Sequence, residues 1–193
     1  MSQLNRYYDP RFGLDAVKLL PGECFVTDEE LMIVTVLGSC VSVCLRDRSL
    51  GLGGMNHFML PGDTGANSLL TSSGRYGVHA MDLLINGLMR RGAQRRNFEA
   101  KVFGGGSVLQ NLSAEVGQRN VEFVLDYLSA EGIPVLAQDL LDVHPRKVYY
   151  FPGSGRVLVR KLRALANDTL LQRERQYRQQ LSRQARGGTI DLF

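Results

Sequence analysis

The stretch Thr35–Asp47, TVLGSCVSVCLRD, interrupts an apolar, strand-like run with Gly38-Ser39-Cys40 and then resumes as Val-Ser-Val-Cys-Leu. Glycine weakens a strand interior, because it has no side chain to pack and loses the most backbone entropy. A bend at Gly38 would set the Cys40 sulfur where a reactant can reach it. A cysteine attacks as its thiolate, while a free thiol has a pKa near ~8.5, so it needs assistance. Two kinds are in reach. His57 follows Cys40 by 17 residues, in the next strand-like run, so the two can face each other across adjacent strands. A Cys–His pair is the minimum for thiol acyl chemistry. The amides of the Gly38–Cys40 turn can also point at an incoming carbonyl oxygen, as an oxyanion hole does. The other reading of the same residues is a core cysteine beside a bulge and a hydrogen-bonded structural histidine, and residue types alone leave both open.

Other chemistry-bearing residues are weaker candidates. His79 falls on a helical stretch and His144 precedes a proline in LLDVHPRK, and both read as structural. The FGGGS run lacks the lysine and spacing of a phosphate-binding loop, so close backbone packing or a wall of the active site is the better reading. Cys24, Cys40 and Cys44 contain no C-x-x-C pair, so neither a metal site nor a redox motif is indicated. Cys40 and Cys44 would lie on one face of a strand, too far apart along it for a disulfide.

The elements that must position these residues follow from periodicity. Residues 22–27 and 31–37 look like strands around the acidic turn TDEE, and CVSVCLRD alternates, with Val41, Val43 and Leu45 opposite Cys40, Ser42, Cys44 and Arg46. LGLGGMNHFMLP is extended and stops at Pro61, and GDTGANSLLTSSGR reads as a loop. From about Tyr76 to Arg91 the period turns helical, through Val78, Met81, Leu84, Ile85 and Leu88. FEAKVFGGGS is a strand, NVEFVLDYLSAEG a second helix closed by Gly132, and IPVLAQDLL, KVYYFP and RVLVRKL are strands, the last two a hairpin around GSG. This order favours an α+β fold over a doubly wound parallel sheet.

With 193 residues and 44% hydrophobic content, the chain can bury a sizeable core. No apolar run is long enough for a membrane span, and the polar N-terminus lacks the pattern of a secretory signal, which points to the cytoplasm. The net charge is +4, but residues 1–159 are near balance, with 15 basic and 16 acidic side chains. Residues 160–186 hold eight basic residues against Asp168 and Glu174, so the excess belongs to the C-terminal segment. Without interleaved aromatics or a helix-turn-helix pattern, this suits a solvated helix face or a docking surface for an acidic partner better than nucleic acid.

TVLGSCVSVCLRD, GGMNHFMLP, RYGVHAMDLLI, KVFGGGSVL, GQRNVEFVLDYL and RKVYYFPGSGRVLVRKL, in that order, resemble the chemoreceptor glutamine deamidase family, CheD. The resemblance runs from about residue 20 to about residue 163. It implies that Cys40 of the L-G-S-C motif is the nucleophile, that His57 is its partner, and that Thr35 orients the histidine. It also implies layered mixed β-sheets with flanking helices, similar to the cysteine deamidases of the cytotoxic necrotizing factor type. The implied activity is that of a protein-glutamine glutaminase acting on methyl-accepting chemotaxis receptors in bacterial chemotaxis, with no metal or organic cofactor, and with glutamyl methyl esters as a side substrate. The alternative is a non-catalytic docking module that regulates receptors or a CheC-type phosphatase. Residues 1–163 are expected to form the deamidase domain and residues 164–193 a basic helical tail, a docking element for an acidic receptor surface or for the nearby anionic membrane.

Overall fold

The structure, a computed structural model, describes residues 5–61, 72–107, 113–162 and 168–187. Among the described residues, ten strands form two five-stranded sheets. The first contains β1 (Asn5–Asp9), β2 (Leu14–Lys18), β4 (Met32–Leu37), β9 (Arg146–Phe151) and β10 (Arg156–Lys161), in the order β1-β2-β4-β9-β10. The second contains β3 (Cys24–Thr27), β6 (Leu52–Asn56), β5 (Val41–Asp47), β7 (Phe98–Gly104) and β8 (Val135–Leu140), in the order β3-β6-β5-β7-β8. Each sheet is mixed: β2 runs parallel to β4, β7 parallel to β8, and the other neighbours are antiparallel. With the described α-helices α1 (Ser72–Met89), α2 (Ser113–Ala130) and α3 (Asp168–Gly187), the fold is α+β.

Strand β5 shows how the layers stack. Val41, Val43 and Leu45 enter a cluster with Met81, Leu84 and Val124 of α1 and α2. Cys44, and Cys40 just before the strand, enter a second cluster with Ile33, Leu37 and Val148 of the first sheet. A strand buried on both faces in this way sits in the middle layer, between helices and a second sheet. The two-residue alternation read from the sequence is therefore a division between two cores.

Some boundaries differ from expectation. Helix α1 begins at Ser72 and α2 at Ser113, each earlier than its apolar stripe suggests. The N-terminal segment carries an unanticipated hairpin, β1–β2, with Asn5 opposite Lys18 and Asp9 opposite Leu14. Strand β1 is an edge whose residues are mostly exposed, so it has no apolar alternation to read. Of the loop expected over residues 62–75, residues 72–75 instead form the first turn of α1, while residues 62–71 lie outside the described residues, as does the junction expected between residues 163 and 164. Beyond that junction α3 turns back onto the body, where Glu174 and Leu181 are buried.

Candidate active site

Gly38, Ser39 and Cys40 form the link by which the chain leaves β4 in the first sheet and enters β5 in the second. The break in the apolar run is a change of sheet. All three carbonyls of this link are held from behind. Gly106 N–H donates to the Gly38 oxygen at 2.7 Å and Gly105 N–H to the Cys40 oxygen at 2.8 Å. Asn120 of α2 donates from Nδ2 to the Ser39 oxygen at 2.8 Å, while its Oδ1 accepts the Leu60 N–H at 2.8 Å. Gly104, at φ +115°, has no room for a side chain, since a Cβ there would meet the Cys40 oxygen at 2.1 Å. The FGGGS run is thus the rear wall of the link.

With its carbonyls turned back, the link presents its N–H groups forward, and they converge. Gly38 N–H donates to Glu174 Oε1 at 3.0 Å, Ser39 N–H to Oε2 at 3.3 Å and Cys40 N–H to Oε1 at 3.5 Å. The Ser39 hydroxyl adds a bond to Oε2 at 2.9 Å. Successive backbone donors around one point make an anion-binding nest.

His57 is set by the pairing that follows β6. Val41 and Phe58 exchange both backbone hydrogen bonds, at 2.9 and 3.0 Å. Their preceding residues, Cys40 and His57, therefore share the opposite face as a diagonal pair, a relation that spans ~7–8 Å between Cα atoms and less between side chains. The ring's tautomer follows from hydrogen-bond accounting. Thr35 donates its single hydroxyl hydrogen to the Leu19 carbonyl at 2.9 Å, so toward His57 Nδ1, at 2.7 Å, it must act as acceptor. Nδ1 then carries the hydrogen and Nε2 keeps its lone pair. Nε2 is buried and has no hydrogen-bond partner.

Electrostatics keep the pair neutral. Burial pushes the His57 imidazole down to about 3. Burial, then the neighbouring Glu174 carboxylate, pushes the Cys40 thiol well above its usual range. In this arrangement the sulfur holds its proton and the imidazole is neutral, with Nε2 unprotonated.

The structure thus joins Thr35 to His57 by a hydrogen bond and sets Cys40 diagonally across from His57 on the paired strands, with all three residues buried. Cys44 stands apart, with its sulfur 3.5 Å from that of Met55. His79 and Cys24 line the same cleft as His57 and Tyr76. Among the described residues no group of three or more His, Cys, Asp or Glu side chains is arranged to hold a metal, and no helix is long and apolar enough to cross a membrane. Two polar residues of the site escaped the sequence reading. Asn120 looks like one more polar residue on a helix, and Glu174 like a lone acid in a basic segment; neither carries a local signal, because their partners lie 81 and about 135 residues away.

Residues 59–161 match the family model described as CheD chemotactic sensory transduction. The chain is 58% identical over 190 residues to the probable chemoreceptor glutamine deamidase CheD 1 of Dechloromonas aromatica, covering 98% of this chain and 94% of that protein. It is 57% identical over 192 residues to the probable chemoreceptor glutamine deamidase CheD of Herminiimonas arsenicoxydans, with 98% and 94% covered. Among solved structures, the Bacillus licheniformis hypothetical protein YfiH aligns with a TM-score of 0.38 and 17% identity, over 63% of this chain and 49% of that one. The match to the family model and relatives alike over nearly their whole length place the chain in the CheD family.

Proposed function

We propose that the protein is a protein-glutamine deamidase of chemotaxis receptors, with Cys40 as nucleophile, His57 as general base and acid, and Thr35 as the residue that holds the imidazole. The names of its relatives supply the substrate class. The observation that carries the chemistry is the single hydroxyl hydrogen of Thr35: spent on Leu19, it leaves His57 Nε2 as an acceptor on the face shared with Cys40.

Each step uses a group already described. Nε2 takes the thiol proton and Cys40 Sγ attacks the carboxamide carbon of a receptor glutamine. The negative charge that develops on the carboxamide oxygen meets the N–H groups of Gly38, Ser39 and Cys40, which are fixed in place before reaction. Collapse breaks the C–N bond, and the imidazolium returns its proton to the departing ammonia. A water deprotonated by Nε2 then attacks the thioester, releasing glutamate and regenerating the thiol. A glutamyl methyl ester follows the same course with methanol as leaving group. Thr35 works through the ring it orients, the part a third residue plays in hydrolase triads.

The test is mass spectrometry of a purified receptor cytoplasmic fragment after incubation with the full chain or with Cys40→Ala. Conversion of particular glutamines to glutamates by the unsubstituted chain alone is the expected result. A receptor fragment that binds the protein and keeps all its amides would refute the proposal and favour a docking module.

A further inference from the structure

The position of α3 concerns the same site and rests on the deamidase reading. Glu174 lies 2% exposed with both carboxylate oxygens in the nest of Gly38, Ser39 and Cys40 amides. A side-chain carboxylate of glutamate is the product of glutamine deamidation. Its oxygens also stand where the reacting carboxamide oxygen must go if those amides are to stabilise it. The helix that delivers it is seated by two more side chains on the same stripe, at i+3 and i+7. Tyr177 reaches the hydroxyl of Tyr76 and lies over Gly22, and Leu181 is buried in the cluster that contains Cys40. The rest of the described helix surface is polar: Gln172, Arg173, Arg175, Gln176, Gln179, Gln180 and Arg183 are exposed.

We infer that α3 is an internal, product-like ligand of the active site: Glu174 fills the amide nest, and a receptor helix presenting its glutamine competes with α3 for the same seat. A helix with Glu174 in the nest admits no substrate carboxamide there, so reaction requires α3 to leave. The carboxylate also faces the thiol and opposes its ionisation. Departure of α3 therefore removes a negative charge from Cys40 as it opens the nest. This reverses the expectation that the tail helps binding. Here its removal from the site raises turnover.

The experiment uses the full chain and two substitutions of Glu174. Glu174→Ala empties the nest and is expected to raise the rate of receptor deamidation at least about tenfold, in proportion to the fraction of open molecules. Glu174→Gln places a carboxamide in the nest, next to Cys40. Attack of Sγ on that carbonyl carbon releases ammonia and forms a thioester within the chain, and water then releases the carboxylate. The introduced amide is thus expected to become an acid in the purified protein, with no receptor added, and to survive intact when Cys40 is also alanine. Leu181→Ala, which weakens the helix seat and leaves the nest untouched, should also raise receptor turnover, with folding checked by circular dichroism.

The inference is overturned if folded Glu174→Ala and Leu181→Ala work no faster than the parent chain and Glu174→Gln keeps its amide; Glu174 is then a structural tether. Receptor conversion by the parent chain in that case leaves the deamidase reading standing. Self-conversion of Glu174→Gln beside an unmodified receptor supports the seat and refutes the receptor as substrate.

Discussion

Cys40 and Cys44 lie four residues apart on one face, in one apolar cluster, and both are buried. Burial pushes both thiols upward. Desolvation therefore does not separate a candidate nucleophile from a core cysteine. The backbone does. Cys44 sits inside β5, between Met55 of β6 and Lys101 of β7, in a strand paired on both sides. Cys40 sits at the change of sheets, where its N–H and those of the two residues before it point to a common centre. A sulfur becomes chemically useful where the ladder ends, since only there are amides left over for a ligand.

The strongest way to break this comparison is to remove each sulfur. Cys40→Ala should abolish deamidation, whereas Cys44→Ala should keep the rate within about threefold and lower stability by roughly 1–2 kcal/mol through the cavity it leaves. Equal loss of activity in both would mean that the contrast in backbone setting is irrelevant. Receptor deamidation rates and urea unfolding of the two variants decide it.

Next in size is Gly104→Ala. A Cβ there meets the Cys40 oxygen at 2.1 Å on a backbone with φ +115°. The variant should lose roughly 2–4 kcal/mol of stability as the rear wall pushes the link forward. Denaturant unfolding reads the change, and near-parent stability would show that the wall yields easily.

Thr35→Val tests the ring that serves Cys40 and has no part near Cys44. It removes the hydroxyl that bridges His57 Nδ1 and the Leu19 carbonyl. A fall of roughly 10–100-fold in turnover is expected, with Thr35→Ser restoring most of it. The pH–rate profile should shift as well, which a merely structural role for Thr35 would not produce.

At neutral pH the last effect is invisible, because it lies in the pH dependence of stability. The folded His57 imidazole is lowered from 6.5 to about 3, so between these values the unfolded chain binds a proton that the folded chain refuses. The contribution of neutral His57 is fully present above pH 6.5 and shrinks as pH falls toward 3. The slope from this one group is at most about 1.4 kcal/mol per pH unit. His57→Gln should flatten the stability profile across that window, and an unchanged profile would mean the ring is hydrated.

The contrast between the cysteines was half legible in the sequence. The alternation of Val41, Val43 and Leu45 against Cys44 revealed the two faces of β5, because strand period is a local property. Gly38 flagged the bend, and the three glycines flagged a wall, since positions such as Gly104 and Gly105 that have no space for a side chain leave a trace in residue type. What kind of bend it was could not be read. A change of sheet is a statement about β9 and β6, which pair with the strands on either side of it. The N-terminal hairpin was missed because an exposed edge strand has no apolar face, yet the carbonyl that fixes Thr35 belongs to Leu19, just beyond β2. Asn120 and Glu174 were missed because hydrogen bonds between distant segments leave no pattern in neighbouring residues.

The covalent attachment of α3 to the strand before it makes competition for the nest unequal. A tethered helix meets its site at an effective concentration on the order of millimolar, whatever the dilution of the protein. A free helix of equal intrinsic affinity must reach that concentration to displace it. A substrate packed densely, or one that engages a second surface of the enzyme, meets the condition where a dilute peptide does not. The tether thereby turns local crowding of substrate into the threshold for reaction.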